Sequence, residues 1–121
     1  MVRHLVQDDP KQSKAATQAF ARLTPAEPGL LTTVVLVETY WVLTRGYKLP
    51  TDVVASALEA LMDSSDIRTQ HEPDARRALA EVRAGTDFAD ALIAQACQAL
   101  GCVAVLSFDR NAQKRLRFQA P

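Results

Sequence analysis

Residues 30–50 read LLTTVVLVETYWVLTRGYKLP, and the fold class turns on how that stretch is divided. Its β-branched residues favour a strand, whereas its length favours a helix. Splitting it resolves the conflict. Leu30 and Leu31 end a short buried strand, Thr32 or Thr33 caps a helix, and that helix runs from about Val34 to Arg45 with Gly46 as its stop. The chain therefore alternates between strand and helix, and the neighbouring segments follow suit.

Upstream, Asp9 is placed to cap a helix whose first position is Pro10, with Ala15, Ala16, Ala19, Phe20 and Leu23 at helical spacing. Thr24 to Gly29 breaks it. Downstream, Pro50-Thr51-Asp52 opens a helix with an apolar stripe of Val54, Ala57, Leu58, Leu61 and Met62. Ile67 to His71 leaves room for a short strand, and Pro73 starts a helix through Arg83, ended at Gly85, with Ala78, Leu79 and Val82 inward. TDFADALIAQACQALG, residues 86–101, has the best helix signals of all: Thr86 or Asp87 as cap, acids in the first turn and Gly101 as terminator. CVAVLSF, residues 102–108, reads as a fully buried strand with Asp109 at its carboxyl edge. Asn111 to Leu116 makes a last short helix. Helices alternating with short buried strands define an α/β domain with a parallel sheet, and no repeat, low-complexity tract or linker divides residues 1–121.

Composition narrows the function classes. The 121 residues are 48% hydrophobic, enough for one ordinary core. Fourteen basic residues balance fourteen acidic ones, so no global positive field draws the chain to nucleic acid, and phosphate binding has to be local or metal-mediated. No apolar run reaches the roughly 20 residues of a membrane helix, and Arg3 and His4 do not introduce a signal peptide. A cytoplasmic protein is expected. Cys97 and Cys102, the only cysteines, suit neither a disulfide framework nor a zinc site and read as buried small residues.

Three acids stand in apolar surroundings. Asp109 directly ends a hydrophobic strand, and in open parallel sheets the functional crevice lies beyond the carboxyl ends of strands, although a lone Asp there also starts a turn. Asp87 and Asp90 share a face three residues apart at a helix start, where the macrodipole favours acids by about 0.3–1 kcal/mol. Asp90, among Ala89, Ala91, Leu92 and Ile93, sits beside the core and needs a partner or a metal. Glu38, inside VVLVETYWVL, has either a salt bridge to Arg45 or Arg3 or a similar role. Clustered carboxylates repel unless a positive group lies among them, and a hard cation such as Mg²⁺ or Mn²⁺ takes oxygen ligands. Such a site activates water for in-line attack on a phosphodiester. The basic residues Arg110, Lys114, Arg115 and Arg117 follow Asp109 and are placed either to hold a phosphate backbone or to form a solvated helix face. Trp41 and Tyr40 have the chemistry to stack on bases, yet mid-helix aromatics are more often core.

Taken together, VLVETYWVL (35–43), DFADALIAQA (87–96) and VLSFDR (105–110), in this order and spacing, resemble the PIN domain of VapC-type toxins from bacterial toxin–antitoxin pairs. The likeness covers nearly the whole chain, including VRHLVQDDPKQS at residues 2–13. The resemblance implies a three-layer α/β/α fold, a Mg²⁺- or Mn²⁺-dependent endoribonuclease, a homodimer, and a cognate antitoxin that inserts into the active site. By the family's motifs Glu38, Asp90 and Asp109 are catalytic and metal-ligating acids, with Asp87 a helper. A fourth family acid ends strand one in a segment like Asp-Thr-Asn-Val-Leu-Val-Arg. Val2-Arg3 aligns with the end of that segment, so this aspartate would fall before Met1, and Asp8 and Asp9 do not replace it. The expectation is a chain short of its first strand and first acid, either because translation starts upstream or because the gene is a remnant, with weak metal binding and little or no cleavage. Two other classes compete: a non-catalytic module that binds antitoxin or dimerises, and an acidic α/β phosphate enzyme such as a phosphatase or receiver-like domain.

Overall fold

The computed structural model describes Gln18 and residues 21–106. The capping aspartate and proline of the expected first helix, the final helix, Asp109 and the basic residues after it lie outside the described residues. Gln18 and Ala21 are both helical.

Thr32 divides the segment that decides the fold. It follows strand β1 (Gly29–Leu31) in an extended conformation, and its hydroxyl accepts from Val35 N at 3.2 Å while its carbonyl accepts from Leu36 N at 3.0 Å, which opens helix α1 (Thr33–Trp41). These bonds satisfy amides that a helix start leaves without intrahelical partners. Beyond Trp41 the helix widens into a π-helical turn over Val42–Gly46, marked by the bond from Tyr47 N to Val42 O at 3.0 Å. Helix α2 (Thr51–Met62) starts after Pro50 and buries Val54, Ala55, Leu58 and Met62.

Strand β2 (Ile67–Thr69) returns beside β1 in parallel, with Gly29 opposite Ile67 and Leu31 opposite Thr69. Bonds from Gly29 N to Asp66 O (2.8 Å) and from Gln70 N to Leu31 O (2.9 Å) close the two ends of the pair. The Gln70 side chain then accepts from Thr33 N at 3.0 Å, so the residue just after β2 also ties down the start of α1. Gly29 has a packing reason, since a Cβ there would meet Leu23 Cδ1 at 2.8 Å. Leu31 is buried and Leu30 exposed, as the alternation of a strand requires.

Helices α3 (Glu72–Arg83) and α4 (Phe88–Ala99) complete the described elements. The chain forms two compact units that divide between Glu72 and Pro73. In the first, α1 packs on α2 and α2 on β2, around Leu31, Leu36, Leu43, Val54 and Leu58. In the second, Ala75, Ala78, Leu79, Val82, Phe88 and Ala91 are buried. Helix α4 ends as its glycine predicts. Gly101 takes φ +69°, its amide donates to Gln98 O at 3.1 Å, and Cys102 N donates to Cys97 O at 3.0 Å, the paired bonds of a Schellman cap.

Three expectations need correction. Residues 102–106 do not form a buried strand: they hold a single bridge, at Leu106, and Val103 and Leu106 are exposed. Among the described residues the sheet consists of β1 and β2, and residues 107–108 of the expected strand lie outside them. The cysteines are not buried, since Cys97 is half-buried and Cys102, past the helix cap, is exposed. Trp41 is not core either, although the adjacent Tyr40 is. Successive helical residues point about 100° apart, so one of two adjacent rings faces inward.

Candidate active site

Asp87 and Asp90 are brought together by the start of α4. Asp87 is the N-cap, with extended backbone, and its Oδ2 accepts from Asp90 N at 3.3 Å. Its carboxylate thus shields one of the orphan amides and lies at the positive end of the helix. Asp90 occupies the first turn and is 6% exposed, alongside Phe88 and Ala91, which are buried with it. A carboxylate with so little access to water retains its charge only when paired, hydrogen-bonded or coordinated. Thr86, just before the cap, is also buried, so the turn entering α4 carries three polar residues in or beside the core.

Glu38 lies on α1 in the first unit and is exposed, which corrects the expectation that its apolar sequence neighbours shield it. Thr39 follows it in sequence but is buried on another face of the helix. Its neighbours in space are Trp41 and Val42, three and four residues on, and these are exposed too. Val37, Glu38, Trp41 and Val42 line a depression of about 250 Å³. Arg45 lies with its Cζ 4.3 Å from the centre of the Trp41 ring. A larger depression of about 380 Å³, in the second unit, is lined by Arg77, Glu81 and Gln95 among others, and contains none of the expected acids.

Asp109, Arg110, Lys114 and Arg115 lie outside the described residues. Among the described residues no three His, Cys, Asp or Glu side chains converge as a metal site. Asp87 and Asp90 supply carboxylate oxygens, the donor type that Mg²⁺ and Mn²⁺ prefer, so the donor chemistry fits a hard cation, with further ligands required beyond this pair.

The family model described as PIN domain matches residues 1–119. The chain belongs to the PIN domain family. Its parallel strand pair and four described helices are those of an α/β PIN-like fold. PIN domains are commonly metal-dependent nucleases and typically use Mg²⁺ or Mn²⁺. No curated protein and no solved structure matches the chain. No helix of this PIN domain is, among the described residues, long and apolar enough to cross a membrane. Sequence reasoning missed the depression beside Trp41. The signal for it was the spacing of Val37, Glu38, Trp41, Val42 and Arg45, which puts them on adjoining positions of one helix face.

Proposed function

We propose that this PIN domain, taken as one domain over residues 1–121, is a Mg²⁺- or Mn²⁺-dependent endoribonuclease, the toxin of a type II toxin–antitoxin pair. The observation that carries the reading is Asp90: an aspartate more than nine-tenths buried in the first turn of a helix, in a chain of a family whose members are commonly metal-dependent nucleases. Asp90 and Asp109 are the metal ligands, Asp87 supports the helix start that holds Asp90, and Glu38 accepts a hydrogen bond from the attacking water and orients it. Arg110, Lys114 and Arg115 hold the phosphate backbone of the RNA strand. A bound Mg²⁺ or Mn²⁺ supplies charge neutralisation at the phosphate and a more acidic water. Water oxygen attacks phosphorus, the bond to the 3′-oxygen breaks, and that oxygen takes up a proton, leaving a 5′-phosphate and a 3′-hydroxyl. The protein acts in the cytoplasm as a homodimer, and the cognate antitoxin is its inhibitor.

Incubating end-labelled RNA with excess protein in Mn²⁺ or Mg²⁺ tests this, because protein excess makes slow cleavage readable. Slow internal cuts with 5′-phosphate ends, abolished by EDTA, are expected, in keeping with the weak metal binding and little or no cleavage expected of the chain's three acids. Cleavage that persists in EDTA and leaves cyclic 2′,3′-phosphate ends would contradict the reading, because those ends need attack by the ribose hydroxyl and not by water.

A further inference from the structure

We infer that the depression beside Trp41 is a stacking site for one unpaired base of a single-stranded RNA. The choice of ligand rests on the RNA-cleaving reading above. Trp41 is 50% exposed at the end of α1, and Val42 beside it is 39% exposed, while Leu36, Tyr40 and Leu43 of the same stretch are buried. A single exposed apolar side chain is ordinary. Here Trp41, two valines and Glu38 together form a concave, mainly apolar surface of about 250 Å³. That is below the roughly 300–1,000 Å³ of pockets that enclose a whole small molecule, and it suits one flat ring system on a strand that continues in solvent.

Arg45 gives the site its orientation and charge. Its guanidinium lies 4.3 Å from the indole centre, within the range of a cation–π contact. This contact holds the ring plane, so less side-chain freedom is lost when a base stacks on it. It also places a cation over one face of the indole, so the base stacks on the other face and the cation lies near its phosphodiester. Aromatic side chains with an adjoining cation are the usual means of holding single strands, and they tolerate any base because every base has a π-face. A second copy of this chain docking on the same face would enclose Arg45 and Glu38 and have to pair both, whereas a strand leaves them at its solvent edge.

Two further features support this site. The helix widens into its π-turn directly after Trp41, over Val42–Gly46, and such turns concentrate at functional positions. Glu38 and Trp41 are three residues apart, hence neighbours on the helix surface, so a base held on Trp41 belongs to a nucleotide next to the acid proposed to orient water.

Trp41 is the only tryptophan in the chain, so its emission reports on this site alone. The full chain is titrated in EDTA, which prevents cleavage, with a 2′-O-methyl octaadenylate and with an abasic oligomer of equal length and charge. Octaadenylate is expected to quench the indole emission and the abasic oligomer to leave it unchanged. By fluorescence anisotropy, Trp41→Ala weakens octaadenylate binding about thirtyfold, the middle of the range for a lost base stack, and Trp41→Phe restores most of it. The inference is overturned by equal quenching from both oligomers, by no quenching, by unchanged affinity in Trp41→Ala, or by emission that follows protein concentration and ignores RNA, as a second copy on the face would produce. Metal-dependent cleavage of RNA that is lost in Asp90→Asn, together with unchanged RNA affinity in Trp41→Ala, would remove the stacking site and leave the nuclease standing. Base-dependent quenching without any metal-dependent cleavage would do the reverse.

Discussion

Asp90→Asn is expected to lower the single-turnover rate of metal-dependent RNA cleavage by at least about 100-fold, since loss of even an outer-shell partner of a metal costs roughly 10–100-fold. Two properties of the site make this substitution clean. Asn has nearly the shape of Asp, so a position that is only 6% exposed stays filled. The bond from residue 90 to Asp87 uses the backbone amide, which the substitution keeps, so α4 retains its cap. The folded state loses at least the attraction between the carboxylate and the helix start, worth about 0.3–1 kcal/mol. Rapid-quench cleavage of labelled RNA alongside a thermal melt separates the two effects. A variant that melts near the wild type and cleaves at the wild-type rate would remove Asp90 from the site.

Phe88→Ala is expected to be the most costly single change to the second unit, at about 3–5 kcal/mol. Phe88 is, among the described residues, the largest of the fully buried side chains and lies in the first turn of α4, between Asp87 and Asp90. Against a total stability of about 5–15 kcal/mol for a domain, that loss leaves a substantial unfolded population in mild denaturant. Leu100→Ala is the control: Leu100 is 79% exposed past the end of the same helix, so its truncation changes stability by no more than about 0.5 kcal/mol. Urea unfolding followed by circular dichroism reads both. Equal midpoints for the two variants would mean that the start of α4 is not anchored through Phe88.

Elements set by local chemistry were legible in the sequence. Thr32, Asp87 and Gly101 mark helix ends because their side chains, or the lack of one, act on amides and carbonyls within a few residues, and the observed bonds are of that kind. Strand β1 was legible as a short apolar run before a capping threonine, whereas for β2 the sequence offered only room for a short strand from Ile67 to His71. Elements set by distant contacts were less so. The apolar character of residues 102–106 does not reveal whether a neighbouring strand reaches them. The π-turn at Val42–Gly46 is equally hidden, because a widened turn of five residues shifts the apolar period too little to read.

The acids divide along the same line. Asp90 was expected beside the core and is buried at the helix entry with Thr86, Phe88 and Ala91, although Ile93, one helical turn on, is exposed. Glu38 has apolar sequence neighbours as well, yet burial depends on the face at i+3 and i+4, which is occupied by the exposed Trp41 and Val42. Asp109, Arg110, Lys114 and Arg115 rest on the motif alone, outside the described residues.

The central claim is that Asp90 and Asp109 hold a divalent cation. Electron paramagnetic resonance tests it without relying on catalysis, because free Mn²⁺ gives a signal that diminishes as the ion is bound. Titrating Mn²⁺ into the wild-type protein, Asp90→Asn and Asp109→Asn is expected to show saturable binding to the first and at least about tenfold weaker binding to each variant. The same Mn²⁺ affinity in all three would contradict the account.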